Sequence, residues 1–148
     1  MTATATIEIQ RPVTEVFDYV TDPARFHEWQ NGVVDAKMTE PGPSAVGSHW
    51  TTTRRLGPLN RPFTSVVTTM SPPNSWAVQG IDGPIRALVD VSVEAVNETR
   101  ARVGITVTFA GRGIGRVLVP LVRRQAAKEM PANMERLRHT LESTRPSQ

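Results

Sequence analysis

Apolar and polar positions alternate almost without interruption between residues 85 and 110. Ala87, Val89, Val91 and Val93 share one side of the first run, with Arg86, Leu88, Asp90, Ser92 and Glu94 on the other. After a turn at Asn97-Glu98, Val103, Ile105, Val107 and Phe109 stand against Arg102, Gly104, Thr106 and Thr108. A period of two marks a strand with one packed and one wet face. The two runs therefore predict adjacent strands over residues 85–96 and 100–110.

The same pattern predicts a strand over residues 4–10, where Ile7 and Ile9 oppose Thr6, Glu8 and Gln10. Shorter strands are expected at 33–38, at 47–55 around Trp50, at 63–70 after Pro62, and at 75–79. Breaker-rich segments at 40–44, 57–58, 71–74 and 80–84 separate them. These connections are too short for crossover helices, so the last six strands form an antiparallel meander. The first strand pairs with the last or continues an edge.

The period lengthens twice. Val13, Val16, Phe17 and Val20 give a short helix opened by Pro12, and Asp22 caps a second one over 24–29 with Pro23 at its first position. Phe26 and Trp29, three apart, face inward. From 115 to 141 apolar residues recur as Leu118, Leu121, Val122, Met130, Met134, Leu137 and Leu141. A helix of that length spans roughly 37 Å and needs a large apolar surface beneath it. Pro131 predicts a kink at 127–131, since proline inside a regular helix costs about 3 kcal/mol. Pro120 fits if the regular helix starts there. Together these elements predict one α+β domain over residues 1–148, with an ordered core at 4–142 and a curved seven-stranded antiparallel sheet around a long C-terminal helix. The space between sheet and helix is expected to hold a small apolar ligand.

Composition removes several chemistries. The chain has no cysteine, which excludes thiol catalysis and disulfides. Its formal charge is +3, from 17 Lys and Arg against 14 Asp and Glu. Much of the excess follows Gly111 on the expected outer side of the last helix, interleaved with Glu129, Glu135 and Glu142 and with no aromatic residue. That composition suits a solvated face better than a nucleic-acid interface. No signal peptide or membrane-spanning run is seen, so a cytoplasmic protein is expected. The string Gly111-Arg112-Gly113-Ile114-Gly115-Arg116 follows a strand and precedes a helix, but Arg116 stands where a dinucleotide-binding turn needs its last small residue, and no parallel strand follows. It reads as a flexible corner. His27, His49 and His139 are dispersed, and no metal or cofactor motif is present.

Seven of the eight aromatic residues, Phe17, Phe26, Trp29, Trp50, Phe63, Trp76 and Phe109, are spread through the predicted elements. Trp50 and Trp76 suit a pocket wall or a core equally, whereas Phe17 and Phe109 suit a core. The expected ligand-cavity set is Phe26, Trp29, Trp50, Phe63, Trp76, Leu118, Val122, Met130 and Met134. Along the third strand Trp50, Thr52 and Arg54 share one face and His49, Thr51 and Thr53 the other; one of them looks into the interior. His49, Asp90 and Glu94 are the weak candidates for acid–base chemistry.

Several strings resemble the START-like, or SRPBCC, superfamily, in particular its polyketide cyclase/dehydrase-like branch. They are Pro12-Val13-Thr14-Glu15-Val16-Phe17-Asp18-Tyr19-Val20, Asp22-Pro23-Ala24-Arg25-Phe26 with Trp29, Val46-Gly47-Ser48 with Trp50, and Gly111-Arg112-Gly113 with Pro120-Leu121-Val122-Arg123-Arg124-Gln125. The resemblance implies the helix-grip fold and a cavity for a hydrophobic ligand such as a lipid, a polyketide or an aromatic metabolite. It carries no catalytic role onto a numbered residue. Binding of a small hydrophobic molecule, by a monomer or a homodimer, is the leading expectation. A polyketide cyclase-, dehydrase- or isomerase-type enzyme and a protein-interaction module are the alternatives.

Overall fold

The computed structural model describes residues 2–30, 33–38, 45–56, 59–81 and 85–143. The breaker segment expected at 40–44 lies outside them. Strand β1 (Thr2–Ile9) leads into helix α1 (Val13–Val20), a 3₁₀ turn (Pro23–Arg25) and the single-turn helix α2 (Phe26–Trp29). Strands β2 (Val33–Met38), β3 (His49–Leu56), β4 (Leu59–Ser71), β5 (Ser75–Gly80), β6 (Ile85–Asn97) and β7 (Arg100–Gly111) follow, and helix α3 (Gly115–Ser143) ends the described chain.

All seven strands form one curved sheet in the order β1-β7-β6-β5-β4-β3-β2, and every pairing is antiparallel. The first strand thus pairs with the last. Register shifts between Val33 and Asp35, Val67 and Thr69, and Ala95 and Asn97 mark bulges. Each bulge bends its strand and increases the local twist, which helps the sheet wrap a helix.

Local chemistry fixes the corners. Asp22 Oδ1 accepts from the Ala24 amide at 3.0 Å, the cap expected from the sequence. The Thr99 amide donates to Asn97 Oδ1 at 2.9 Å and closes the β6–β7 turn. Strand β4 begins earlier than expected and contains Pro62, which lies opposite Thr53 of β3. The tolerance has a topological cause: β5 pairs with β4 only from Ser65 onward, so among the described residues the segment around Pro62 pairs with β3 alone and behaves as an edge, where proline is tolerated. Helix α3 starts at Gly115, where the expected stretch begins, and so places Pro120 inside it and not at its start. Its opening bonds, from the amides of Gly115, Arg116 and Val117 to the carbonyls of Arg112, Gly113 and Ile114, have the tighter 3₁₀ spacing.

The core lies between the concave sheet face and α3. Ile9, Val16, Phe17, Val20, Val93, Val103, Leu137 and Leu141 are buried together at the end where α1 meets the C-terminal half of α3. Burying each such aliphatic side chain stabilises the fold by about 1.5–3 kcal/mol. The Gln10 amide donates to Glu142 Oε2 at 2.9 Å and Arg11 Nη2 to the Glu142 carbonyl at 3.1 Å, which ties the end of α3 to the exit of β1.

Candidate functional site

Trp50, Thr52 and Arg54 alternate along β3 and therefore share its concave face. Trp50 stacks on Trp76 of β5, with centroids 5.6 Å apart and planes 11° from parallel. Phe26 of α2 meets Trp29, Trp50 and Trp76 edge-on at 6.2, 6.2 and 6.1 Å. The three tryptophans of the chain thus form one buried cluster, in the same core as Met130 and Met134 of α3. Within it the indole Nε1 atoms of Trp29 and Trp76 have no acceptor among the described residues. A buried donor left unpaired costs about 1–3 kcal/mol. Both atoms are closed off from solvent by the cluster, so an oxygen would reach them only if neighbouring side chains moved.

Burial changes along the sheet. Val93 and Val103, opposite one another on β6 and β7, are 0 % exposed, and Val91 and Ile105 beside them are also buried. Ala87, Val89, Val107 and Phe109 continue the same two rows but are only partly buried. Phe63 and Ser65 on β4, Arg54 on β3, and Val122, Ala126 and Glu129 on α3 show the same intermediate exposure. An inward apolar side chain keeps water contact only where the opposite layer stands away from it. Burial along β6 and β7 is thus complete at one end and partial at the other, here called the open end, although Ala3 of β1 and Val119 of α3 are buried there.

A charged group stands at the open end. Arg54 Nη2 donates to Gln30 Oε1 at 2.9 Å. Burial pushes the Arg54 pKa below its usual value, and the Glu129 carboxylate on α3 opposes that shift. Guanidinium nevertheless stays protonated in proteins. The concave face thus presents a partly desolvated cation, with a carboxylate near enough to counter it, beside apolar walls. Elsewhere, Tyr19 Oη donates to Glu28 Oε1 at 2.8 Å, and burial together with that carboxylate pushes the phenol pKa upward.

The structure brings Phe26, Trp29, Trp50, Trp76, Met130 and Met134 of the expected cavity set into one buried core. Phe63 and Val122 are half-buried on inward faces. Leu118 departs from the expectation, being 38 % exposed, and Val119 takes the inward place. Counting back from Met130 in steps of three and four gives positions 126, 122, 119 and 115, so Leu118 and Leu121 fall off the stripe that the C-terminal half sets.

The weak acid–base candidates lie on the other side of the sheet. His49 is opposite Val66, Asp90 opposite Thr106, and Glu94 opposite Arg102, each alternating with inward residues. Glu94 Oε2 is 3.8 Å from Arg102 Nη1. Asp90 stands in an open groove of about 440 Å³ whose lining includes Thr4, Thr6, Ser75, Ser92 and Thr106. That convex groove is hydroxylated and wet, unlike the apolar interior, so these three side chains do not reach the space beneath α3. Arg54, Gln30 and Glu129 were not among the expected site residues. A usable signal existed for Arg54, which shares the alternation of Trp50.

A model of the family described as polyketide cyclase/dehydrase and lipid transport matches residues 1–142. No sequence among the curated proteins matches the chain. Among solved structures, the chain is similar to the Zhui aromatase/cyclase from Streptomyces sp. R1128, with 13% identity and a TM-score of 0.77 over 96% of this chain and 93% of that one. A START superfamily protein from Mycobacterium smegmatis matches with 10% identity and a TM-score of 0.77, covering 95% of this chain and 97% of that one. The di-domain ARO/CYC BexL of the BE-7585A biosynthetic pathway matches with 16% identity and a TM-score of 0.76 over 96% of this chain. The chain spans about half of BexL, 46% of its length. At these identities the likeness establishes the fold.

Proposed function

The chain belongs to the polyketide cyclase/dehydrase and lipid transport family, and from that premise we propose that it binds a small amphipathic molecule in the open half of the interior. The observation that carries this reading is the loss of burial along continuous inward rows, from Val93 and Val103 to Val89, Val107 and Phe109. Inward apolar side chains that keep part of their surface wet gain when an apolar molecule covers that remainder. The polar groups narrow the partner's chemistry. Arg54 offers charge-assisted donors, and the buried indoles of Trp29 and Trp76 would add neutral ones where the aromatic cluster opens to admit an oxygen. All of these donate, so the best match is a ring system or acyl chain that carries acceptor oxygens, as a polyketide, an aromatic metabolite or a lipid does.

The three clustered tryptophans make the test direct. Titration with panels of hydroxylated polycyclic aromatics and fatty acids gives saturable changes in tryptophan fluorescence, and native mass spectrometry retains a one-to-one complex. A flat response to both panels, with no retained mass, overturns the proposal. The cyclase, dehydrase or isomerase alternative would use Arg54 to stabilise an enolate oxygen and Glu129 to move a proton. It requires turnover of an added polyketide-like substrate that Arg54→Met or Glu129→Gln abolishes.

A further inference from the structure

The first turns of α3 carry two apolar faces. Gly115, Val119 and Val122 turn toward the sheet. Ile114, Val117, Leu118 and Leu121 form a second stripe at i, i+3, i+4 and i+7, and they are 72, 73, 38 and 61% exposed. At 100° per residue the second stripe lies about 120° around the helix from the first. Arg123, on the far flank, donates from Nε to the Thr2 carbonyl at 3.2 Å and fixes α3 against β1. The exposed stripe is thereby turned away from that edge. Single exposed aliphatics are ordinary, but four adjoining ones on consecutive turns form a patch that marks an interaction surface.

The charge along this stretch of the chain has one sign. Arg124 and Lys128 extend the same face, Arg112 and Arg116 flank it, and no Asp or Glu occurs from residue 99 through 128. The patch also lies at the open end of the interior. Gly111, just before α3, pairs with Ile85 at the start of β6, and the Ile81 amide at the end of β5 donates to the Thr64 carbonyl. Ile81 is itself 39% exposed at this end. An aliphatic ridge framed by arginines, with no interleaved acid, matches a surface that is anionic outside and hydrocarbon within. Aliphatic side chains enter the acyl boundary while guanidinium groups stay at the phosphates.

We propose that the Ile114–Val117–Leu118–Leu121 ridge docks this domain on an anionic lipid bilayer, with the open end of its interior toward the membrane. Docking rests on the ridge and its charge alone; passage of a ligand between bilayer and interior rests in addition on the binding proposed above. The test is co-sedimentation of the full chain with vesicles of phosphatidylcholine containing about one-third phosphatidylglycerol, against vesicles of pure phosphatidylcholine. The wild-type protein pellets with the anionic vesicles and stays in solution with the neutral ones. The double variant Val117→Ser, Leu121→Ser lowers the partition coefficient at least tenfold, as does Arg116→Glu with Arg124→Glu. Raising NaCl from about 0.1 M to about 0.5 M weakens the wild type in the same direction, because screening shortens the reach of surface charge. Thermal unfolding of each variant confirms that the fold is kept, as expected at exposed positions. Wild-type protein left in solution with anionic vesicles, or undiminished partition of the serine double variant, overturns the proposal. Fluorescence titration in vesicle-free solution is a separate readout: a protein that binds ligand but ignores vesicles refutes the docking and leaves the cavity reading standing.

Discussion

Four valines on two paired strands isolate the central physical claim. Val93 and Val103 face one another at the dry end, and Val89 and Val107 face one another two rows further along, all on the concave side. Replacing each in turn by alanine removes the same two carbons from the same kind of strand position, so only the environment differs. At about 0.8 kcal/mol per buried methylene the transfer loss is about 1.6 kcal/mol at the dry end. Packed surroundings that relax incompletely add about 24 cal/mol per Å³ of cavity, or about 0.8 kcal/mol for a void of about 35 Å³. Val93→Ala and Val103→Ala are therefore expected to cost about 2.4 kcal/mol each. At the open end the side chains already meet water, so about half the transfer loss remains and no new void forms, giving about 0.8 kcal/mol. Urea unfolding followed by far-ultraviolet circular dichroism resolves the difference, since a gap of about 1.6 kcal/mol at a slope of about 2 kcal/mol/M separates the midpoints by about 0.8 M. Equal costs at the two ends would refute the reasoning, because they would mean that α3 packs as tightly over Val89 and Val107 as over Val93 and Val103.

Other substitutions test other parts of the structure. A Cβ on Gly111 would lie 2.5 Å from the carbonyl carbon and oxygen of Gly115 and 2.6 Å from the Arg116 amide, so Gly111→Ala displaces the first turn of α3 and costs about 1–3 kcal/mol in denaturant unfolding. Gly113 has φ +57° with open space around it, and Gly113→Ala should cost only about 1–2 kcal/mol, through the left-handed backbone. Tyr19 has a phenol pKa raised above its unfolded value of 10.0; its contribution to stability is full below that value and is lost as pH rises through the window between the two. Tyr19→Phe should flatten the alkaline loss of stability above pH 10 in unfolding measured against pH. Arg54→Met leaves Gln30 Oε1 without its donor and Glu129 without its counter-charge, and is expected to cost about 1–3 kcal/mol in urea unfolding, while weakening retention of an acceptor-bearing ligand in native mass spectrometry.

The periodic elements were the legible ones. Clean alternation in β6 and β7 announced both strands and their inward faces because neither is interrupted until the bulge at Ala95. Strand β4 was harder to read. Phe63, Ser65 and Val67 face inward, after which the shift between Val67 and Thr69 moves the inward position to Met70, and no local pattern announces a bulge. The start of α3 misled for a different reason. Leu118, Leu121 and Val122 look like one stripe in the sequence, yet the angular position of the helix is set by Met130, Met134, Leu137 and Leu141, where packing is tightest. Alternation also pairs every strand residue with a face but does not say which face is concave. His49 and Arg54 were therefore on equal terms until Trp50 was seen to stack on Trp76.

The division of the interior explains how one helix can serve both stability and binding. Leu137 and Leu141 are packed with Phe17, Val93 and Val103, and the carbonyl and carboxylate of Glu142 hold Arg11 and the Gln10 amide. This half of α3 is fixed by contacts that need no ligand. Toward Gly115 the inward positions Gly115 and Val119 are buried but Val122, Ala126 and Glu129 are only half-buried, so this half contributes less to folding per residue. Filling the space with larger side chains would stabilise the fold by about 25 cal/mol for each Å² of apolar surface removed from water. Valines and alanines at 87, 89, 107, 122 and 126 leave that stabilisation unrealised. A bound molecule can realise it instead, because every square ångström of Val89, Val107 or Phe109 that it covers counts toward affinity, not toward the stability of the empty protein. Substitutions in the C-terminal half of α3 should thus act first on folding, and those in the N-terminal half on what the domain holds.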